Sequence, residues 1–115
     1  MPRPEKGEFE ENKKSPWSFE YYDSSWELDY MKELEADENV LKWTKNHSII
    51  IPYWDEDAKL RGFKPDFLVQ TKDSIEIREI KGGHLLKTQQ FKRKIAAAEE
   101  WCKARKMKFR IISRY

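Results

Sequence analysis

The 115-residue chain holds one cysteine, Cys102, and two histidines, His47 and His84, well separated in sequence. A single thiol excludes an internal disulfide and any cysteine-built zinc site. Two distant imidazoles argue against a histidine-rich metal centre. No stretch approaches the roughly 20 apolar residues of a membrane span, and the opening MPRPEKGEFEENKK lacks the apolar core of a secretory signal. An intracellular, cytoplasmic protein is the resulting expectation. There is also little net charge, +2 formally, so attraction to a polyanion has to come from local clustering of the basic residues. Internal repeats and low-complexity tracts are absent.

Charge and aromatics are abundant. Charged residues make up 38% of the chain and aromatics 14%, with five Trp. Disordered chains are poor in aromatics, so this composition predicts a folded core beneath a highly charged surface. The length suffices for one domain. Residues 1–15 are polar and contain Pro and Gly, which predicts a flexible lead-in before a single domain over 16–115. SPWSFEYYDSS (15–25) reads as aromatic extended chain packed onto the body.

From Ser24 or Ser25, either able to cap, Trp26, Glu27, Tyr30, Met31 and Leu34 recur at helical spacing. ADENV (36–40) interrupts, and Val40, Leu41 and Trp43 suggest a second short turn or helix. HSIIIPYW (47–54) is a β-branched run and an expected strand, followed by a turn and short strand in DEDAKLRG. FKPDFLVQ (63–70) and SIEIREIKG (74–82) form the next two strands, joined by a tight turn. A helix is expected over about 87–105, with Phe91, Ile95, Ala98 and Cys102 on one stripe, and a final strand over 107–115.

The chemistry concentrates at the paired strands. Side chains alternate faces along a strand, so Ile75, Ile77, Glu79 and Lys81 share one side, and Asp66 shares its side with Leu68 and Gln70. A hairpin brings Asp66 and Glu79 together where the apolar residues stop. Glu27 interrupts the apolar stripe of the first helix, and a buried carboxylate needs a partner or a metal. Three carboxylates without cysteine or histidine suit Mg²⁺, with Mn²⁺ as substitute. Such a cation acidifies water and draws charge from phosphate oxygens. A lysine beside it supplies a compact positive charge for the attacked phosphate. The basic run Lys87, Lys92, Arg93 and Lys94 is a solvated helix face or a set of phosphate contacts.

Pro65-Asp66, twelve residues, then Glu79-Ile80-Lys81 resembles the PD-(D/E)xK nuclease superfamily. YYDSSWE, VLKWTKN, IPYW and KPDFLV extend the likeness over residues 17–114. They resemble the C-terminal nuclease domain of Type III restriction enzymes and the endonuclease subunits that cut transposon ends. The resemblance implies an α/β restriction-endonuclease-like fold, a mixed central sheet flanked by helices in the order α-β-β-β-α-β. It implies Mg²⁺-dependent DNA cleavage, with Asp66, Glu79 and the Ile80 carbonyl as metal ligands, Lys81 as catalytic lysine, and Glu27 as a further carboxylate of the site. Gln89, Gln90, Lys92 and Lys94, with Lys87, become candidate nucleic-acid contacts, since some branches carry an active-site glutamine early in that helix. DNA is the implied partner. Cutting both strands with one site per chain calls for a homodimer, and a helicase or other complex subunit is a further partner of such domains. The rival readings are a catalytically weak DNA-binding module and a nuclease for RNA or structured DNA.

Overall fold

The computed structural model describes residues 6–82 and 88–114. Two short strands, β1 (Gly7–Phe9) and β2 (Glu20–Tyr22), pair antiparallel and precede helix α1 (Ser25–Ala36). Part of the polar lead-in is thus a strand, because Phe9 supplies a core side chain that packs against Trp43 with ring centres 6.2 Å apart. Ser24 caps α1: its side chain accepts the Glu27 N–H, and Glu27 reaches back to the Asp23 N–H at 2.9 Å. The two ends of the first turn are therefore satisfied reciprocally.

β3 (Val40–Thr44) follows, where a turn or helix was expected. Val40, Leu41 and Trp43 fit either period over so few residues, and tertiary pairing with the central sheet decides in favour of a strand. Strands β4 (Ile51–Trp54) and β5 (Leu60–Phe63) form a separate hairpin. The expected strand at 47–54 is shorter, beginning at Ile51; His47 lies before it and bonds the Ile49 N–H and the Pro65 carbonyl. β6 (Phe67–Thr71) and β7 (Ile75–Gly82) form the anticipated hairpin. Helix α2 (Gln89–Ala104) leads to β8 (Lys108–Arg114).

The main sheet runs β3-β6-β7-β8, with the first two pairings antiparallel and β7–β8 parallel. This is the mixed sheet with flanking helices that the sequence implied. On one face Tyr30, Met31 and Leu34 of α1 meet Val40, Trp43, Phe67, Val69 and Ile80. On the other, Ala98 and Cys102 of α2 pack with Ile51, Tyr53 and Phe63 of the β4–β5 hairpin and with Ile77. Full burial of such side chains contributes about 1.5–3 kcal/mol each, so the two layers clamp the β6–β7 hairpin between them.

Both faces of β7 are buried, a feature its alternation did not foretell. Glu76 and Arg78 lie under α1 as an ion pair at 2.9 Å. Arg78 also donates to the Tyr30 hydroxyl at 3.0 Å, and Ser74 donates to Glu76 at 2.8 Å. Burial would raise the Glu76 carboxyl, but hydrogen bonds from Ser74 and Arg78 and the charges of Arg78 and Arg110 outweigh it, and the carboxyl titrates below its ordinary range.

Candidate active site

The β6–β7 register pairs Phe67 with Arg78, and one step further it sets Asp66 opposite Glu79. Each carboxylate then bonds the facing strand. The Asp66 N–H donates to Glu79 Oε1 at 2.9 Å, and the Ile80 N–H donates to Asp66 Oδ2 at 2.8 Å. Lys81 Nζ stands 3.6 Å from Glu79 Oε2 and 5.6 Å from the centre of the Phe91 ring at the start of α2. Three of the four residues read as catalytic from the sequence therefore meet at one end of the hairpin.

Glu79 is only 3% exposed. Burial, and then the neighbouring Asp66 charge, push its carboxyl up to about 8, against a smaller opposing pull from Lys81. In its protonated form Glu79 gains a side-chain hydrogen bond with Asp66, which favours the proton further. Two carboxylates forced together in a desolvated place suit a cation.

Glu27 approaches the same place from α1. Burial raises its carboxyl, the Asp23 N–H and Lys45 lower it, and the charge of Asp66 raises it again. Its hydrogen bond, however, goes to the helix cap, and Lys45 Nζ stands 3.5 Å from Glu27 Oε1. Among the described residues, no three His, Cys, Asp or Glu side chains stand close enough to hold one metal ion together. The group that does fit a hard divalent cation is the Asp66–Glu79 pair. Mg²⁺ commonly takes only one or two carboxylates and completes its shell with water and phosphate oxygens.

Two side chains beside Asp66 escaped the sequence reading. Lys45 follows β3 and bonds Asp23 at 2.9 Å as well as pairing with Glu27. Its burial would lower its ammonium, but Asp23, Glu27 and the Asp66 charge outweigh that and raise it. His47 accepts the Ile49 N–H at Nδ1, 3.2 Å, so Nε2 carries the proton and donates to the Pro65 carbonyl at 2.7 Å. Burial depresses the imidazole and keeps it neutral. His47 thereby holds the Pro65–Asp66 peptide. Both residues precede Asp66 by about twenty positions, and no local pattern announces the approach.

The α2 candidates are spread apart. Gln90 faces the β4–β5 hairpin, its amide nitrogen 3.5 Å from the Tyr53 hydroxyl. Lys94 lies over the Tyr53 and Phe63 rings at 5.8 and 5.5 Å. Gln89 and Lys92 are exposed, and Lys87 lies outside the described residues.

Comparison with known families places this geometry in a class, that of the restriction-endonuclease-like nucleases. The family model described as TnsA-like endonuclease N terminal matches residues 37–114, more than half of the chain. The chain belongs to that TnsA-like endonuclease family. The match contains Asp66, Glu79 and Lys81 and begins after Glu27. It supports the endonuclease part of the sequence resemblance without extending to the Type III enzymes. A search of curated proteins gave no match.

Proposed function

We propose that this chain is an Mg²⁺-dependent endonuclease domain that hydrolyses DNA phosphodiester bonds in transposon-end or related DNA processing. The carrying observation is the reciprocal pairing of Asp66 and Glu79 across β6 and β7, with Lys81 at 3.6 Å. Asp66, Glu79 and the Ile80 carbonyl would hold the cation. Once bound, it would acidify a water molecule and withdraw charge from the phosphate. Lys81 orients the attacking water and offsets the charge that grows on the phosphate oxygens. Glu27 supports the acidic wall from α1. Mn²⁺ replaces Mg²⁺ in the same oxygen-rich setting. One such site cuts one strand, so cleavage of a duplex requires a second copy or a nuclease partner.

The test is nicking of supercoiled plasmid with Mg²⁺ or Mn²⁺, beside Asp66→Ala, Lys81→Ala and an EDTA control. Metal-dependent nicking lost in both variants, each folded by circular dichroism, supports the assignment. A Lys81→Ala protein that cuts like the parent overturns the lysine's role.

A second reading keeps the fold and the DNA but silences the site, making the chain a binding module of a larger helicase or nuclease complex. The absence, among the described residues, of a third His, Cys, Asp or Glu side chain grouped with Asp66 and Glu79 favours it. Duplex, single-stranded and branched DNA and RNA, tested side by side, separate these readings and identify the substrate.

A further inference from the structure

A hollow of about 220 Å³ is lined by Tyr21, Lys45, Asn46 and Lys64. Its lining carries two ammonium groups, an amide and a phenol, and no carboxylate. Lys64 is exposed, and among the described residues its side chain has no ion pair or hydrogen bond. Asn46 is held through its main chain, its N–H donating to Glu20 and its carbonyl accepting from Trp17, while its side-chain amide has no hydrogen bond among the described residues. Tyr21 is 60% exposed, its ring braced edge-on by Phe19 at 5.0 Å.

The hollow is preformed. Glu20, only 1% exposed, accepts the Lys45 N–H at 3.0 Å, the Asn46 N–H at 3.1 Å and the Thr44 hydroxyl at 2.7 Å. The turn bearing Lys45 and Asn46 is thus fixed from beneath by one buried carboxylate. The Lys45 ammonium is fixed in turn by Asp23 and Glu27. The position is equally informative, since Lys64 stands two residues before Asp66 and Lys45 contacts Glu27. A preformed hollow thus holds one cation uncommitted among the described residues, Lys64, beside Lys45, whose charge is felt by Asp66.

We propose that this hollow is a backbone-phosphate subsite, taking a phosphate of the DNA strand next to the one cut. Lys64 supplies the main charge, the Asn46 amide donates to a phosphate oxygen, and Tyr21 forms the wall against which the adjoining sugar packs. Contacts of this kind set position and register and carry no sequence information. The inference rests on the nuclease reading for its ligand, and binding and cutting are measured separately for that reason.

The experiment is fluorescence anisotropy of a labelled duplex oligonucleotide against salt, in EDTA so that nothing is cut, with the full chain. Losing one phosphate contact lowers the slope of log K against log salt by about 0.9, which is about an eightfold loss of affinity at 0.1 M salt. Lys64→Ala should show that loss and Lys64→Arg should restore most of it. Lys32→Ala removes the same charge from α1, near Glu10 and Glu35, and should leave the slope unchanged. A Lys64→Ala protein with the parental slope, or an equal loss in Lys32→Ala, overturns the subsite. A parent that binds but never nicks plasmid removes the reaction and leaves the subsite standing. A parent that nicks, with Lys64→Ala unchanged in slope and in KM, removes the subsite and leaves the reaction.

Discussion

Replacing Glu79 by Gln should stabilise this protein, most of all in alkaline solution. In the unfolded chain the carboxyl titrates near 4.5, and in the folded one near 8. Between those values the folded state keeps a proton that the unfolded state has lost, so stability falls as pH rises, and the full penalty is present above about 8. One proton corresponds to about 1.4 kcal/mol per pH unit, giving a ceiling of about 5 kcal/mol. An effective dielectric nearer 20 than 4 around the charge reduces this to about 2 kcal/mol. Glutamine keeps an oxygen to accept the Asp66 N–H and removes the charge that repels Asp66. At about 4 °C per kcal/mol for a domain of this size, Glu79→Gln should melt about 8 °C above the parent at pH 9 and close to it at pH 4.

The assay is thermal unfolding by circular dichroism from pH 4 to 9 on both proteins, read as the difference between them so that other titrating groups cancel. Ca²⁺ supplies the converse measurement. A cation at 100 times its Kd stabilises the folded state by about 2.7 kcal/mol, and this gain should appear in the parent and shrink in Glu79→Gln. Melting curves that run parallel across the whole pH range would refute the reasoning, because Glu79 would then carry no more strain than an ordinary surface carboxylate.

Four further outcomes follow from the same contacts. Arg78→Met leaves Glu76 buried without its main partner and should cost about 3–5 kcal/mol by urea unfolding. Lys81→Met, on the same strand, should change stability little while abolishing metal-dependent nicking, because Lys81 is partly exposed. Ser24→Ala removes the α1 cap and should lower stability by about 1 kcal/mol in the same measurement. Lys106 follows α2 at φ 58°, a left-handed conformation that disfavours a side chain. Lys106→Gly should raise stability by about 0.5–1 kcal/mol, the relief of strain exceeding the added freedom of the unfolded chain.

The elements legible in the sequence were those with local signals. Ser24 followed by the Trp26–Leu34 periodicity marked α1, and the strict spacing of Asp66 and Glu79 about a tight turn marked the hairpin and its paired carboxylates. The strand at Val40–Thr44 was not legible, because five residues satisfy both periods and only pairing with β6 chooses between them. Lys45, His47 and Glu20 were hidden for a different reason. Each acts on a partner some 18 to 26 residues away: Glu20 and Lys45 meet only when the N-terminal segment is laid along β3, and His47 meets Pro65 only when β3 pairs with β6.

Strand β7 carries two acid–base pairs of identical spacing, Glu76 with Arg78 and Glu79 with Lys81, and their spacing alone does not rank one above the other. Their surroundings do. Around Glu76 every acceptor is matched: Ser74, Arg78 and Arg110 surround it, and Tyr30 closes the far side of Arg78. That pair is complete and serves to seat α1 on the sheet. Glu79 has a lysine at 3.6 Å in place of an arginine at 2.9 Å, and a second carboxylate across the strand. Once ionised, its charge has only that lysine to offset it inside the fold, a deficit that a divalent cation would relieve. A residue whose burial destabilises the protein, on a strand where the neighbouring pair shows how the same spacing can be satisfied, is better explained by chemistry than by packing.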